Sequence, residues 1–207
     1  MVPKMIAPTR AELSRNISRQ KMAESSLKLL KTKHGELMRQ IDCLKPQQEE
    51  LRGHVNSVLR AAHEELIMAL AIMSPKMLQQ ALLYQKNRAE LDVDFDKIAS
   101  VPVPVYSCDE VADGGAAYPY GFLQTSGELD DAISMYSGIF ADMLELARIE
   151  KTLQLLTCEL EKTRVHIRAL ECRIIPEAKS SIQHIATKLD EDERLDQIRV
   201  SRIKSRI

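Results

Sequence analysis

Two apolar patterns of coiled-coil period, one in each half of the chain, constrain the fold more than any other feature of the sequence. Their side chains recur alternately three and four residues apart, a spacing that keeps one stripe of a helix against a partner helix. In the first half this seam is Leu27, Leu30, His34, Leu37, Ile41, Leu44, Gln48, Leu51, Val55, Val58 and Ala62. In the second half it is Leu146, Ile149, Leu153, Leu156, Leu160, Thr163, Ile167, Leu170 and Ile174. Because turn-forming residues separate the two seams, the sequence predicts an all-α chain folded as a long antiparallel two-helix coiled coil, an α-hairpin.

The composition favours long solvated helices over a thick globular core. Of the 207 residues, 44% are hydrophobic and 29% charged, whereas only 4% are aromatic and none is tryptophan. Each Leu or Ile that is fully buried in a narrow seam stabilises the fold by about 1.5–3 kcal/mol. We therefore expect one elongated domain over residues 1–207, with its stability distributed along the seam.

Capping motifs predict where the two long helices begin. In the segment 9–12, the Thr9 hydroxyl and the Glu12 carboxylate can each satisfy a free backbone amide, so it is a capping box for a helix over residues 9–73. Residues 125–128 form a second capping box, which predicts a C-terminal helix over residues 128–205.

Proline interrupts each of these helices once. Pro46 lies on the face opposite the seam, and Pro176 follows the last seam residue. Since proline lacks an amide hydrogen and its ring crowds the preceding turn, we expect a kink at Pro46 and a bend at Pro176.

The middle of the chain, residues 74–127, is predicted to hold a short helix and a small β-hairpin. Ser74 and Pro75 supply a cap and a first-turn proline for a helix to about Glu90. Period-two alternation follows over 93–96 and 101–106, and the prolines in the second segment restrict it to an edge strand or an extended segment. Glycine-rich turns are predicted at 113–115 and 118–121.

The charge is strongly polarised along the chain although the net charge is −1. Residues 1–33 carry eight basic and two acidic side chains, and residues 194–207 carry five basic and one acidic. Between residues 90 and 150, thirteen acidic side chains face only two basic ones. An α-hairpin would bring both basic termini to one end and leave the acidic middle at the other, which predicts two different partners. Solvated faces without any partner are the alternative.

Motifs for catalysis, metal binding or membrane insertion are missing from the sequence. There is no glycine-rich phosphate-binding loop, and the four cysteines lack the C-x-x-C spacing of metal or disulfide sites. Asp92, Asp94 and Asp96 alternate as in a calcium loop but lack its glycine and distal glutamate. The longest apolar run, Leu66 to Met73, is too short to span a bilayer, and no signal-peptide core is present. We therefore expect a soluble or peripheral protein with no catalytic residue, cofactor or metal, and no direct membrane insertion.

Two terminal blocks and part of the middle go beyond a generic coiled coil. The first block is Pro8-Thr9-Arg10 with Leu13, then Ala23, Ser26, Leu29-Leu30-Lys31 and Lys33. The second is Glu161-Lys162-Thr163-Arg164, Arg168-Ala169-Leu170-Glu171, Ile174-Ile175-Pro176, Leu189-Asp190-Glu191 and Glu193-Arg194. The middle adds Pro119-Tyr120-Gly121 with Thr125, Leu129 and Asp130. Together they resemble the D subunit family of V-type and archaeal A-type rotary ATPases, which forms the rotor of the central stalk.

The resemblance implies a rotor shaft that couples ATP synthesis or hydrolysis in a catalytic hexamer to proton or sodium translocation by a membrane ring. It implies that the basic tips face the catalytic and non-catalytic subunits of the hexamer. It also implies that the acidic middle meets the small F subunit of the stalk and a funnel-shaped subunit on the membrane ring. The tip residues are Arg10, Arg15, Arg19, Arg194, Arg199, Arg202 and Lys204. ATP, magnesium and hydrolysis would belong to the partners, and the chain would sit peripherally on the cytoplasmic side of the cell membrane.

Two other interpretations of the sequence are open. A coiled-coil adaptor or scaffold would keep the same helices without an ATPase partner. Nucleic-acid binding through the basic ends is disfavoured, because the near-zero net charge and the lack of interleaved aromatic residues do not fit it.

Overall fold

The computed structural model of the chain describes residues 9–83, 87–112 and 126–204. Helix α1 spans Arg10–Ile72 and α2 spans Pro75–Leu83; strand β1 spans Asn87–Ile98 and β2 spans Val101–Ala112. Helix α3 spans Gly127–Ala169, a π-helical turn spans Leu170–Ile174, and α4 spans Ile175–Lys204. The predicted fold class is confirmed: the chain is mostly helical, with long N- and C-terminal helices and a small antiparallel sheet between them.

The helix starts follow the capping signals in the sequence. The Glu12 amide donates to the Thr9 hydroxyl at 3.3 Å, so α1 begins at the predicted cap. The Met77 amide donates to the Ser74 hydroxyl at 3.4 Å, which caps α2 in the same way. The second capping box is placed only in part, because Thr125 lies outside the described residues; the Leu129 amide donates to the Ser126 carbonyl at 3.2 Å.

The short helix is shorter than predicted and the strands are longer. Helix α2 ends at Leu83, and residues 87–90, predicted as helix, open strand β1. Arg88 and Ala89 have good helix propensity, but pairing with Val111 and Glu110 overrides it. The predicted turns at 113–115 and 118–121 lie outside the described residues.

The hairpin turn consists of Ala99 and Ser100, which have φ values of 49° and 69°. Two consecutive left-handed residues are the geometry of a type I′ turn, whose twist matches that of paired strands. The register is Ile98 opposite Val101, Phe95 opposite Pro104 and Val93 opposite Tyr106.

Two compact units make up the chain. Unit 1 comprises residues 1–36 and 160–207, and unit 2 comprises residues 37–159. In unit 2, cross-helix contacts run antiparallel, from Arg52 with Glu150 to His63 with Tyr136. In unit 1, Arg10 pairs with Glu193 and Lys31 with Glu171, so its helices are antiparallel as well.

Three helices meet in one apolar cluster of unit 2. Ala69 and Met73 at the end of α1 pack with Leu129 at the start of α3, and Leu78 of α2 covers the cluster. Burial of these apolar side chains secures α2 beside the two long helices.

The π-helical turn lies directly before Pro176. The amide of Ile175 donates to the carbonyl of Leu170, five residues back. In a regular α-helix the proline ring would collide with the carbonyl of Cys172, and the wider π turn relieves that crowding. The turn also adds one residue to the helix repeat, which changes the position that faces the partner helix.

Candidate functional site

The seam residues of unit 2 lie on the covered faces of its helices. Leu37, Ile41, Val55, Ala62, Ile149 and Leu156 are buried, and Leu44, Gln48, Leu51, Val58, Leu146 and Leu153 are half-buried. Polar contacts border this stripe: the Arg52 guanidinium lies 2.7 Å and the Gln48 amide 3.4 Å from the same Glu150 oxygen. The apolar stripe is therefore bordered by hydrogen bonds and ion pairs.

In unit 1 the seam changes phase at the π turn. Leu27, Leu30, His34, Leu160, Ile167 and Leu170 are half-buried, and Thr163 is buried. The regular spacing predicted Ile174 as the next seam residue, but this side chain is exposed. The half-buried Ile175 and the buried Ala178 and Ile185 continue the stripe instead, because the π turn inserts one residue.

A histidine–tyrosine contact joins α1 and α3 in unit 2. The rings of His63 and Tyr136 meet edge to face, with centroids 5.8 Å apart. His63 Nδ1 donates to the Leu59 carbonyl at 2.6 Å and lies 3.1 Å from the Tyr136 hydroxyl. The imidazole therefore contacts both its own helix and the facing one, and it links α1 to α3 within the fold.

The end of α4 in unit 1, residues 191–204, is exposed along its whole length. The predicted tip residues Arg194, Arg199, Arg202 and Lys204 lie on it. Arg199 pairs with Asp196 at 3.1 Å, whereas Arg10 of α1 pairs with Glu193.

The other two predicted tip residues lie on the first turns of α1. Arg15 is exposed and pairs with Glu12 at 3.5 Å, and Arg19 is exposed. Arg10, Glu193, Val200 and Lys204 line an open groove of about 690 Å³. The α1 start and the α4 end thus contribute basic groups to one groove within unit 1.

Exposed apolar side chains accompany the basic groups of α4. Leu195, Ile198, Val200 and Ile203 are between 46% and 62% exposed. We refer to these four residues and the arginines between them as the α4 end surface. An apolar periodicity in the sequence does not distinguish a side chain covered by its own chain from one left for another protein.

One charge pair just before this surface shifts two pKa values. The Lys188 ammonium donates to Glu191 Oε2 at 2.8 Å. This hydrogen bond, together with the attraction between the charges, raises the pKa of Lys188 above 10.5 and lowers the pKa of Glu191 below 4.5. Both groups are therefore more firmly charged at neutral pH than they would be alone.

A groove of about 410 Å³ lies beside the hairpin in unit 2. It is lined by Tyr106 and Cys108 of β2 and by Phe140, Leu144 and Arg148 of α3, among others. Its lining mixes apolar side chains with the polar groups of Ser137, Glu145 and Arg148, and the Arg148 guanidinium lies 3.5 Å from Glu145 at one side.

Metal-ligand clusters, disulfides and membrane-spanning helices are absent from the part of the chain that the structure describes. Within residues 9–83, 87–112 and 126–204 no three His, Cys, Asp or Glu side chains gather as metal ligands. All four cysteines, Cys43, Cys108, Cys158 and Cys172, are free thiols. None of the helices in these ranges has a stretch long and apolar enough to cross a lipid bilayer.

A family match covers almost the whole chain. A sequence model of the ATP synthase D subunit matches residues 12–205. The chain belongs to the ATP synthase D subunit family. The resemblance drawn from the terminal blocks is therefore confirmed.

Curated relatives place this chain among the V-type proteins of the family. The V-type ATP synthase D subunit of Clostridium botulinum (strain ATCC 19397 / Type A) is 42% identical over 202 residues, which are 97% of this chain and 94% of the relative. The protein of the same name from Acetivibrio thermocellus is 44% identical over 200 residues, 96% of this chain and 90% of the relative. That of Clostridium novyi (strain NT) is 40% identical over 202 residues, 97% of this chain and 94% of the relative.

Proposed function

We propose that this chain is the central-stalk rotor shaft of a rotary V-type ATPase or ATP synthase. It couples ATP synthesis or hydrolysis in a catalytic hexamer to proton or sodium translocation by a membrane ring. The observation that carries the proposal is the family match over residues 12–205, together with near full-length relatives named as the D subunit of V-type ATP synthase.

The antiparallel helix pairs support this role. Two helices with unlike side chains present a different surface at each angle of rotation. A surrounding ring of subunits that contacts these surfaces unequally is biased towards a different conformation at each angle. That is the differential interaction which any coupling between two equilibria requires.

The α4 end surface supports contact with the hexamer. It combines exposed Leu, Ile and Val side chains with arginines, and it follows a part of α4 in which Ile185 is buried. Apolar side chains supply the buried centre of a protein interface, and arginine is favoured at such interfaces. In this proposal the chain itself is non-catalytic, and the catalytic and non-catalytic hexamer subunits bind ATP and magnesium.

The remaining partners follow from the family. The small F subunit of the stalk and the funnel-shaped subunit on the membrane ring would bind lower on the shaft, near its acidic middle. The shaft would then be held peripherally, on the cytoplasmic side of the membrane, by its partners.

The test is to purify the tagged chain from cells that express the complex, and to compare it with a variant in which Leu195, Ile198, Val200 and Ile203 are all replaced by serine. We expect the hexamer to co-purify with the unchanged chain and ATP turnover to be coupled to ion transport. Loss of the four apolar side chains should uncouple turnover or release the hexamer.

The control replaces the exposed residues Met22 and Leu29 of α1 by serine, and coupling should be kept. Fully coupled turnover in the α4 variant would contradict the proposed contact. Failure of any ATPase subunit to co-purify with the unchanged chain would favour the adaptor interpretation.

A further inference from the structure

The outer strand of the hairpin carries an uncovered apolar row. Leu91, Val93 and Phe95 alternate along β1 and therefore share one face of the sheet. They are 51%, 41% and 73% exposed. A phenylalanine exposed to this extent loses hydrophobic stabilisation that a partner surface would supply.

The inner strand is covered where the outer strand is not. Pro104, Tyr106 and Cys108 of β2 share the face of the apolar row; Pro104 is buried, and Tyr106 and Cys108 line the groove against α3. Val101 and Val103 are buried on the opposite face. Tyr106 and Cys108 are the cross-strand neighbours of Val93 and Leu91. On the face that carries the apolar row, the β2 half therefore packs within unit 2 and the β1 half does not.

Two outward-facing amides on β1 already have acceptors within the hairpin. In a two-residue hairpin the pair that flanks the turn is hydrogen-bonded and the pairs then alternate, so the amides of Val93 and Lys97 point away from β2. These two amides donate to the carboxylates of Asp92 and Asp96, at 2.9 and 2.7 Å.

The same alternation turns the nitrogens of Pro102 and Pro104 to the outside of β2. Proline has no amide hydrogen, so these positions cost no bond to β1 and offer none to another strand. Within the described residues the sheet has only these two strands. Along residues 91–98 and 101–108, only the outward amides of Leu91 and Phe95 on β1, and of Tyr106 and Cys108 on β2, are left for an added strand, so the hairpin favours a partner that binds through side chains.

The charge of the hairpin selects the kind of partner. Residues 87–112 contain six acidic and two basic side chains, and Glu90, Asp92, Asp94 and Asp96 are all exposed. A second copy of this chain would bring like charges together, which disfavours it. A surface with lysine or arginine around an apolar patch complements both features.

We propose that the β1 face of the hairpin, with Phe95 at its centre, docks on a partner subunit that presents an apolar patch bordered by lysine or arginine. This rests on the proposed function, since the partner is another protein of the rotary complex. The apolar row supplies contact area. Asp92, Asp94 and Asp96 alternate with it and point to the opposite face, so their negative charge acts from beside the contact and supplies discrimination in favour of a basic partner.

The experiment is photo-crosslinking in the intact complex, purified through a tag on this chain. Phe95→p-benzoylphenylalanine places the reactive group in the apolar row, and Asp94→p-benzoylphenylalanine places it at the exposed neighbouring position on the opposite face. We expect position 95 to crosslink to one other protein of the complex, at a peptide that contains lysine or arginine, and position 94 to crosslink several-fold less.

Second-site variants separate charge recognition from strand addition. Asp92→Asn with Asp96→Asn keeps an acceptor for each edge amide and removes both charges, so the yield from position 95 should fall about threefold. Asp92→Ala with Asp96→Ala removes charge and acceptor together; the proposal again predicts a fall, whereas strand addition predicts a rise because the amides become available.

The outcomes separate this inference from the proposed function. Co-purification of the hexamer with equal crosslinking from positions 94 and 95, or with none from 95, overturns the docking surface and leaves the rotor proposal standing. A crosslink from 95 to a second copy of this chain, or a rise in the alanine variant, also overturns it. Absence of ATPase subunits from the purified material overturns the rotor proposal, and this inference with it.

Discussion

The helix pairs of the two units use the same kinds of residues with opposite results. In unit 2, Leu37 and Leu156 are fully buried and the covered stripe keeps its regular spacing over α1 and α3. In unit 1 the stripe shifts by one residue at the π turn, and beyond Leu189 the apolar side chains of α4 are uncovered.

This difference shows which apolar side chains the chain itself buries and which it leaves exposed. Burial by the chain itself stabilises the fold, so the buried seam residues of unit 2 serve folding. The apolar residues of the α4 end surface are exposed and contribute little to folding, and in the proposed function they supply contact area for another protein. Substitutions should therefore separate the two roles.

Deleting one exposed residue should affect the two units most differently. Deletion of Ala147 rotates every later position of α3 by about 100° against the earlier ones, because an α-helix has 3.6 residues per turn. Several seam side chains then lose burial at about 1.5–3 kcal/mol each, which exceeds the stability of many domains. Circular dichroism with urea titration should show an unfolded or strongly destabilised chain.

The matched variant deletes Cys172, also exposed, in a Pro176→Ala background. Without proline the π turn is not needed, and the deletion brings Ile175 four residues after Leu170, as a regular seam requires. We expect a loss of no more than about 1 kcal/mol in the same titration. Equal damage from both deletions would show that the π turn does not reset the stripe.

Truncating single side chains should sharpen the contrast. Leu156→Ala removes a fully buried side chain and should lower the free energy of unfolding by about 2–5 kcal/mol. Ile198→Ala removes a half-exposed one and should change it by less than about 0.5 kcal/mol. Denaturant midpoints measure both, and a comparable loss from Ile198→Ala would show that the α4 end is part of the folded core.

Removing a capping hydroxyl should lower the global stability in unit 2 but not in unit 1, and by less than truncating a core side chain. Ser74→Ala loosens α2, whose Leu78 covers the Ala69–Met73–Leu129 cluster, and should lower the global stability by about 1 kcal/mol. Thr9→Ala frays the start of α1, and should raise amide exchange over residues 10–14 with little effect on the global midpoint. Faster exchange throughout α1 in the Thr9 variant would contradict this locality.

The regular parts of the fold could be predicted because burial imposes a period on the sequence. Leu37, Ile41 and Val55 could be assigned to one covered face, since no other spacing keeps them together. The hydroxyl and carboxylate residues at 9–12 likewise indicated the start of α1. The long helices, the hairpin and the family followed from such local or periodic signals.

The irregular parts could not be predicted because each depends on a choice that the sequence leaves open. Ile174 and Ile175 are adjacent and equally apolar, so only the strain that Pro176 imposes on the backbone decides which is covered. Ala99 and Ser100 lack the glycine or asparagine that usually marks a type I′ turn. The α4 end surface is apolar and periodic like the seam, and only the extent of the partner helix shows that it is uncovered.

The smallest expected effect concerns the charge pair that precedes the α4 end surface. The pKa of Glu191 is lowered mainly by its hydrogen bond to Lys188 and then by the charge of Lys188, three residues earlier on the same exposed helix. A lowered pKa means that the pair's contribution is present above the unfolded-state pKa of Glu191 and is lost as pH falls through the folded-state value. Lys188, whose pKa is raised, loses its contribution only as pH rises through its own folded-state value.

Lys188→Ala should return the pKa of Glu191 towards 4.5, as followed by NMR titration, and high salt should weaken the shift in the unchanged chain. A shift that survives both changes would mean that another group, such as His184, holds the carboxylate, and the helix end would then be more structured than its exposed side chains indicate.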